Sequence, residues 1–152
     1  MTAGEFEAAR KNFRRTKQET GSGRNPKAGK EQENYRNRRA EEIKESIFDS
    51  AKKRNPDVDR KAAEASASAQ TEKIMGKLDA LHEPDMVVGG WANPNPSGLG
   101  NSNINKSIGG HWNQDGRIPM LDHTAQGATK RGDGGDLMNV ELTICPPKAK
   151  GQ

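Results

Sequence analysis

The sequence predicts a mainly α protein with a small β element near the C-terminus. Two observations carry the helices. Residues 4–19, 31–54 and 60–82 each repeat apolar residues near helical spacing, and clusters of Gly, Asn and Pro separate them. One observation carries the strand. "LMNVELTIC", Leu137–Cys145, turns Met138, Val140, Leu142 and Ile144 one way and Asn139, Glu141 and Thr143 the other.

In the first helix Phe6, Ala9 and Phe13 share a side, with Arg10, Arg14 and Lys17 nearby. "TGSGRNPKAGK", Thr20–Lys30, reads as a loop. Its Gly-Ser-Gly is no phosphate loop, because no strand precedes it and no Gly-Lys-Ser/Thr follows. Tyr35, Ile43, Ile47, Phe48 and Ala51 form the apolar set of the second helix. Asn55–Pro56 stops it, and Asp57 or Asp59 caps the next. That third helix is expected to reach His82, with Ile74, Met75, Leu78 and Leu81 as its buried face. Composition then shifts, because residues 81–152 hold 12 of the 17 glycines and 6 of the 8 prolines. Gly89–Asn103 reads as a long irregular loop, a kind that is usually functional or disordered. A short helix follows with Ile104, Ile108 and Trp112 at i, i+4 and i+8. Another spans Arg117–Gln126, with Pro119 in its first turn. Gly127–Asp136 reads as a flexible tip. The strand needs a partner, and Met86–Val88 or a strand of another protein are the candidates. Residues 1–80 thus form a basic helical lead-in and residues 81–152 a Gly/Pro-rich region, together one domain.

Composition limits the core. Leu, Ile, Val and Phe make up 20 of 152 residues, below the share of roughly 20% at which disorder becomes a concern. Net charge is only +4, so the case for disorder is incomplete, and a small domain helped by a metal or a partner fits better. Residues 1–80 hold 19 Lys+Arg against 14 Asp+Glu, residues 81–152 hold 6 against 7, and all three histidines lie in the second part. A basic platform favours polyanions, although an ordinary charged helical surface looks the same. Arg14, Arg15, Arg38, Arg39 and Lys106 are the candidate phosphate contacts, with solvation as the plain alternative for each. One cysteine, Cys145, excludes a disulfide framework or a multi-cysteine zinc site. No stretch has the roughly 20 apolar residues of a membrane span, so stable membrane insertion is not expected. The N-terminus lacks a hydrophobic signal region, so no signal peptide is expected on this chain.

The chemistry-bearing pair lies in "ALHEPDMVVGG". Pro84 disfavours helical geometry at Glu83, and a turn brings His82 and Asp85 within about 7 Å at their Cα atoms. A carboxylate is a hard ligand for a divalent cation, and an imidazole takes a proton from water or ligates near neutral pH. Together they suffice in outline for phosphodiester hydrolysis. H-x-x-D alone is weak, since a surface hydrogen bond is its usual meaning. The neighbourhood strengthens it: Gly89 and Gly90 let backbone approach a ligand closely, and Asn101, Asn103, Asn105 and Ser107 offer neutral hydrogen-bonding groups. His111 is a second base, a phosphate contact or a cover for Trp112. His123 beside Asp122 reads as structural or exposed. Trp91 stacks on a base or simply packs. Cys145 reads as a small apolar residue rather than a nucleophile.

"LHEPDMVVGG", "SGLGNSNINKSIGGHW" and "MNVELTIC", in this order, resemble the polymorphic toxin type 15 family of bacterial nuclease toxins, named for an H-x-x-D motif. "FRRTKQETGSGRN" and "YRNRR" echo its helical lead-in. The resemblance implies a compact helical toxin domain that cleaves nucleic acid with Mg²⁺. His82 and Asp85 match the catalytic pair and the metal-binding positions, with Asn105, Ser107 and His111 as candidate supporting residues. It also implies a secreted effector, some relatives being type VI secretion DNases, that acts in the cytoplasm of a target bacterium. The implied partners are DNA or RNA, a cognate immunity protein and a secretion-system delivery partner. Asn101 stands where relatives often carry an acid, and His111 where they often carry glutamine. The leading expectation is therefore a metal-dependent DNase toxin. The alternatives are an RNase with the same residues and a nucleic-acid-binding helical module without catalysis.

Overall fold

The computed structural model describes residues 1–138. Five helices and one two-stranded sheet follow in the order α1 (Ala3–Thr20), α2 (Ala28–Arg54), α3 (Arg60–Met75), β1 (Leu78–Leu81), β2 (Gly98–Asn101), α4 (Ser102–His111) and α5 (Arg117–Lys130). The protein is mainly α, as the periodicity predicts. Thr2 and Glu5 close α1 with a reciprocal capping box. The Thr2 backbone N–H and then its hydroxyl contact hold the Glu5 carboxyl below its ordinary pKa. Asp59 caps α3 by accepting from the Ala62 N–H.

The fold has two packed regions. In one, α1 lies against α5 and the 3-10 turn Met86–Val88. Ala3, Phe6, Val88, Ile118 and Ala125 are buried there, flanked by Val87, Trp112, Leu121, Ala128 and Met138. In the other, α2 packs on α3. The face α3 buries is Ala63, Ala67, Thr71 and Met75, a row at i, i+4, i+8 and i+12. Three of the four residues on this row are small, so this region uses few large apolar residues.

Four expectations are corrected. The third helix ends at Met75 instead of His82, because Leu78–Leu81 pairs antiparallel with Gly98–Asn101. Arg36 of α2 donates to the carbonyls of Met75 (3.0 Å) and Leu78, taking over acceptors that another helical turn would have used. Ile74 is consequently exposed, and Leu78 and Leu81 are half-buried in the sheet. Second, the span 89–103 is no irregular loop. It holds a 3-10 turn, Gly90–Ala92, and all of β2. Leu81 leans over Gly100, where a Cβ would come within 2.6 Å of Leu81 Cδ1. Third, α5 extends four residues past Gln126, and the segment after Lys130 is no free tip, since the Ala3 and Gly4 N–H groups of α1 donate to the Asp136 and Gly134 carbonyls at 2.9 and 2.8 Å.

Fourth, the sheet lies mid-chain, not near the C-terminus. Residues 139–145 of the expected strand, with Cys145, fall outside the described residues. Met86–Val88 is a 3-10 turn and so no strand partner. Leu137 instead forms an antiparallel bridge with Thr2, and the Met138 N–H donates to the Met1 carbonyl at 3.1 Å. No helix among the described residues is long and apolar enough to cross a membrane.

Candidate active site

His82 leaves the end of β1, and Asp85 begins the next turn. The Asp85 Oδ1 accepts from the Val87 N–H at 3.2 Å, and its carbonyl accepts from the N–H groups of Val88 and Gly90, each at 2.9 Å. This makes Asp85 a cap as well as a candidate functional group. Gly90 must be glycine, because a Cβ there would sit 2.0 Å from the Pro84 carbonyl oxygen. Gly89 holds φ at +113° and packs beside Met1 and Phe6. The two glycines thus let backbone meet backbone and core. The expectation that they open the chain to a ligand is not what the packing uses them for.

Arg10 holds this turn from outside. Its guanidinium grips Asp122 of α5 through two bonds (2.9 and 3.0 Å) and donates to the Val87 carbonyl at 2.8 Å. The Arg10 side chain is only 7% exposed and that of Asp122 17%. Arg14 adds a further bond to Asp122 at 2.9 Å. Asn25 ties a second point, donating to the Trp91 carbonyl at 2.9 Å.

The His82 ring has a defined tautomer. Its Nε2 lies 2.9 Å from the Pro94 carbonyl oxygen, which can only accept, so Nε2 carries the proton of the neutral ring. Nδ1 is then the lone-pair nitrogen, facing the Gln32 amide at 3.4 Å, a long and weak bond. A carbonyl orienting one ring nitrogen so that the other can act is a familiar arrangement for bases and ligands.

His82 and Asp85 both line two cavities. One, of about 250 Å³, also has Lys17, Arg24, Gln32, Asn105 and Asn113 in its wall. The other, of about 280 Å³, is apolar, with Leu81, Pro84, Ile104, Ile108 and Trp112. Ile104 and Ile108 are 61% and 53% exposed at its rim. A larger cavity of about 590 Å³ lies between α2 and α3 and includes neither residue of the pair.

Asn105 lines both cavities. Ser107 and His111 do not join it. They line a separate cavity with Trp112 and Arg117, where His111 Nδ1 contacts the Ser107 carbonyl. Asn101 caps α4, its side chain accepting from the N–H groups of Asn103 and Ile104 at 2.9 and 3.2 Å. The candidate phosphate contacts are dispersed. Arg14 is on Asp122, Arg15 faces Glu19 at 4.0 Å, and Arg38 and Arg39 share Glu42. Lys106 alone of the five lines a cavity that adjoins the pair. His123 is exposed. Trp91 is half-buried, its indole nitrogen buried without a partner among the described residues.

The donor set constrains any metal. Among the described residues no group of three or more His, Cys, Asp or Glu side chains could enclose a cation. Asp85 Oδ2, which accepts no hydrogen bond among the described residues, and Asn105 in the same wall are oxygen donors that suit Mg²⁺. That ion ordinarily takes one or two carboxylates and fills its shell with water and substrate phosphates. The His82 imidazole suits softer ions better.

Gln32, Arg24 and Asn113 escape sequence reading, since nothing in chain order links them to residue 82. Arg10 and Lys17 leave only a trace, as cations beside the apolar side of α1.

A helical domain that brings a His/Asp pair, from just past a strand and from the turn that follows, into the walls of two cavities is the class that fold and site define. The chain matches the model of the Novel toxin 15 family over residues 1–145 and belongs to that family. It is a polymorphic toxin domain. No curated protein matches it.

Proposed function

We propose that this toxin domain is a nuclease that hydrolyses the phosphodiester backbone of DNA, with His82 and Asp85 as its catalytic pair. The observation that carries the reading is the anchoring of His82. The Pro94 carbonyl accepts a hydrogen bond from Nε2–H and leaves Nδ1, only weakly covered by Gln32, on a ring that lines a cavity with Asp85. His82 Nδ1 takes a proton from a water whose oxygen bonds to phosphorus. The P–O bond to the departing sugar oxygen breaks, and that oxygen is protonated from solvent. Asp85 Oδ2, with Asn105, would hold Mg²⁺. The ion would supply charge stabilisation of the phosphorane-like transition state. Pro94 steadies the imidazolium that forms, by keeping its carbonyl on Nε2–H. The Arg10 bond to Val87 keeps the Asp85 turn in register with His82.

RNA offers the same bond to the same groups and is the second substrate reading. Family membership supports a wider setting: a secreted effector, carried by a secretion-system delivery partner, active in the cytoplasm of a target bacterium and neutralised by a cognate immunity protein. The test incubates the purified chain with plasmid DNA and with a matched RNA, in Mg²⁺ and in EDTA. DNA nicking that needs the ion is the expected result. Preferential RNA breakdown would transfer the assignment to RNA. Binding without strand breaks in either would make the domain a non-catalytic nucleic-acid-binding module and end the nuclease reading.

A further inference from the structure

A second cavity, of about 330 Å³, adjoins the one beside His82. Arg24, Gln32, Ala80 and Asn105 stand in both walls. Together they carry four cations, Lys17, Arg24, Arg36 and Lys106, against two carboxylates, Asp79 and Asp85. Arg36 is committed to the Met75 and Leu78 carbonyls. Lys17, Arg24 and Lys106 have no ion-pair partner among the described residues, whereas Arg14, Arg15, Arg38 and Arg39 each face an acid.

These cations come from three separate places: α1, the loop before α2, and α4. The loop is held on both sides of Arg24. The Phe13 ring packs on Gly23 so closely that a Cβ there would lie 2.3 Å from it, and Asn25 bonds to Trp91. Arg24 reaches Gln32 Oε1 at 3.4 Å, and the same amide reaches His82 Nδ1 at 3.4 Å. Gln32 therefore bridges a guanidinium to the candidate base through two long bonds that an incoming ligand can readily replace.

We infer that these adjoining cavities form one groove, a phosphate track in which Lys17, Arg24 and Lys106 hold phosphates of one nucleic-acid strand and lead it to His82. Gln32 releases Nδ1 when a phosphate takes its place on Arg24. The inference rests on the nuclease reading for what happens at His82. The track itself is a statement about polyanion binding, and binding tests it apart from cleavage.

The experiment measures anisotropy of a short labelled single-stranded oligonucleotide against the whole chain, in EDTA, across a salt series. Three proteins are compared: wild type, the triple variant K17A/R24A/K106A, and the triple variant R15A/R38A/R39A. Both variants lose the same charge from exposed positions. Each phosphate contact on a single strand contributes roughly 0.7 to the slope of log K against log salt. The groove variant should lose about 2 from that slope, and the other variant should keep the wild-type value. Equal losses in the two variants, an unchanged slope in the groove variant, or no salt-dependent binding by wild type would each overturn the track. Equal wild-type affinity for polyglutamate would overturn it too, by pointing to an acidic protein instead. Binding as expected by a chain that cuts nothing would uphold the track and remove the nuclease reading. Cutting by a chain whose slope ignores the groove variant would do the reverse.

Discussion

Gly90 and Arg10 line neither cavity beside the pair, yet both shape the turn that carries Asp85. At Gly90 an added methyl would fall 2.0 Å from the Pro84 carbonyl oxygen, which is backbone and cannot swing aside. Gly90→Ala should therefore cost about 1–3 kcal/mol, the usual range for overpacking. Urea unfolding checks this, and a variant as stable as wild type would show that the turn can relax. Arg10→Ala removes the guanidinium that joins Asp122 to Val87. Breaking a buried pair typically costs about 3–5 kcal/mol. The lower end is expected here, because Arg14 still faces Asp122. Thermal melts of Arg10→Ala and Asp122→Ala, singly and together, measure the coupling. Strictly additive losses would mean that the two side chains do not act on each other. At this scale the sequence displays the His82/Asp85 pair, because local spacing is visible in a string. It hides Arg10, whose partners lie 77 and 112 residues away.

Among the elements, the junction between α3 and β1 shows how far periodicity can be trusted. Leu78 and Leu81 stand three apart and extend the helical pattern of Ile74 and Met75, so a helix through His82 is the natural reading. What decides otherwise is the non-local pairing with Gly98–Asn101, and Arg36 taking the terminal carbonyls. Neither is written in the local residues. The consequence for the site is large: His82 sits at the end of a strand rather than a helix, and its ring reaches Pro94 in the connection between β1 and β2. Asn101 caps α4. Asn and Asp are comparable caps, while alanine forfeits about 1 kcal/mol. Asn101→Ala should lose that amount and Asn101→Asp should stay within a few tenths, both read by urea unfolding. A loss in the aspartate variant as large as in the alanine variant would contradict capping as the role of this residue.

Taken whole, the molecule joins its two sequence halves through the site. Helix α1 from the basic half packs on α5 and on the Asp85 turn, and Gln32 of α2 reaches His82. The scarcity of large apolar residues, plain from composition, reappears among the described residues as a small core completed by alanine packing and the part-buried Arg10–Asp122 ion pair. The helical class was legible because it rests on short-range pattern, and the spacing of His82 and Asp85 is visible for the same reason. The placing of Lys17, Arg24 and Lys106 in two adjoining cavities was not, since each belongs to a different part of the chain and only the fold brings them there. The sequence instead draws attention to arginine doublets, of which Arg15, Arg38 and Arg39 pair with glutamates on their own helices and Arg14 with Asp122 of α5.

The most direct test of the central claim is the rate of plasmid nicking in Mg²⁺ by wild type, His82→Ala and Asp85→Ala, each first shown by circular dichroism and thermal melting to be folded. General-base catalysis is typically worth about 10²–10⁴-fold, so His82→Ala should cut slower by that order, and Asp85→Ala should also lose most of its activity. A folded His82→Ala protein that nicks DNA as fast as wild type would contradict the account.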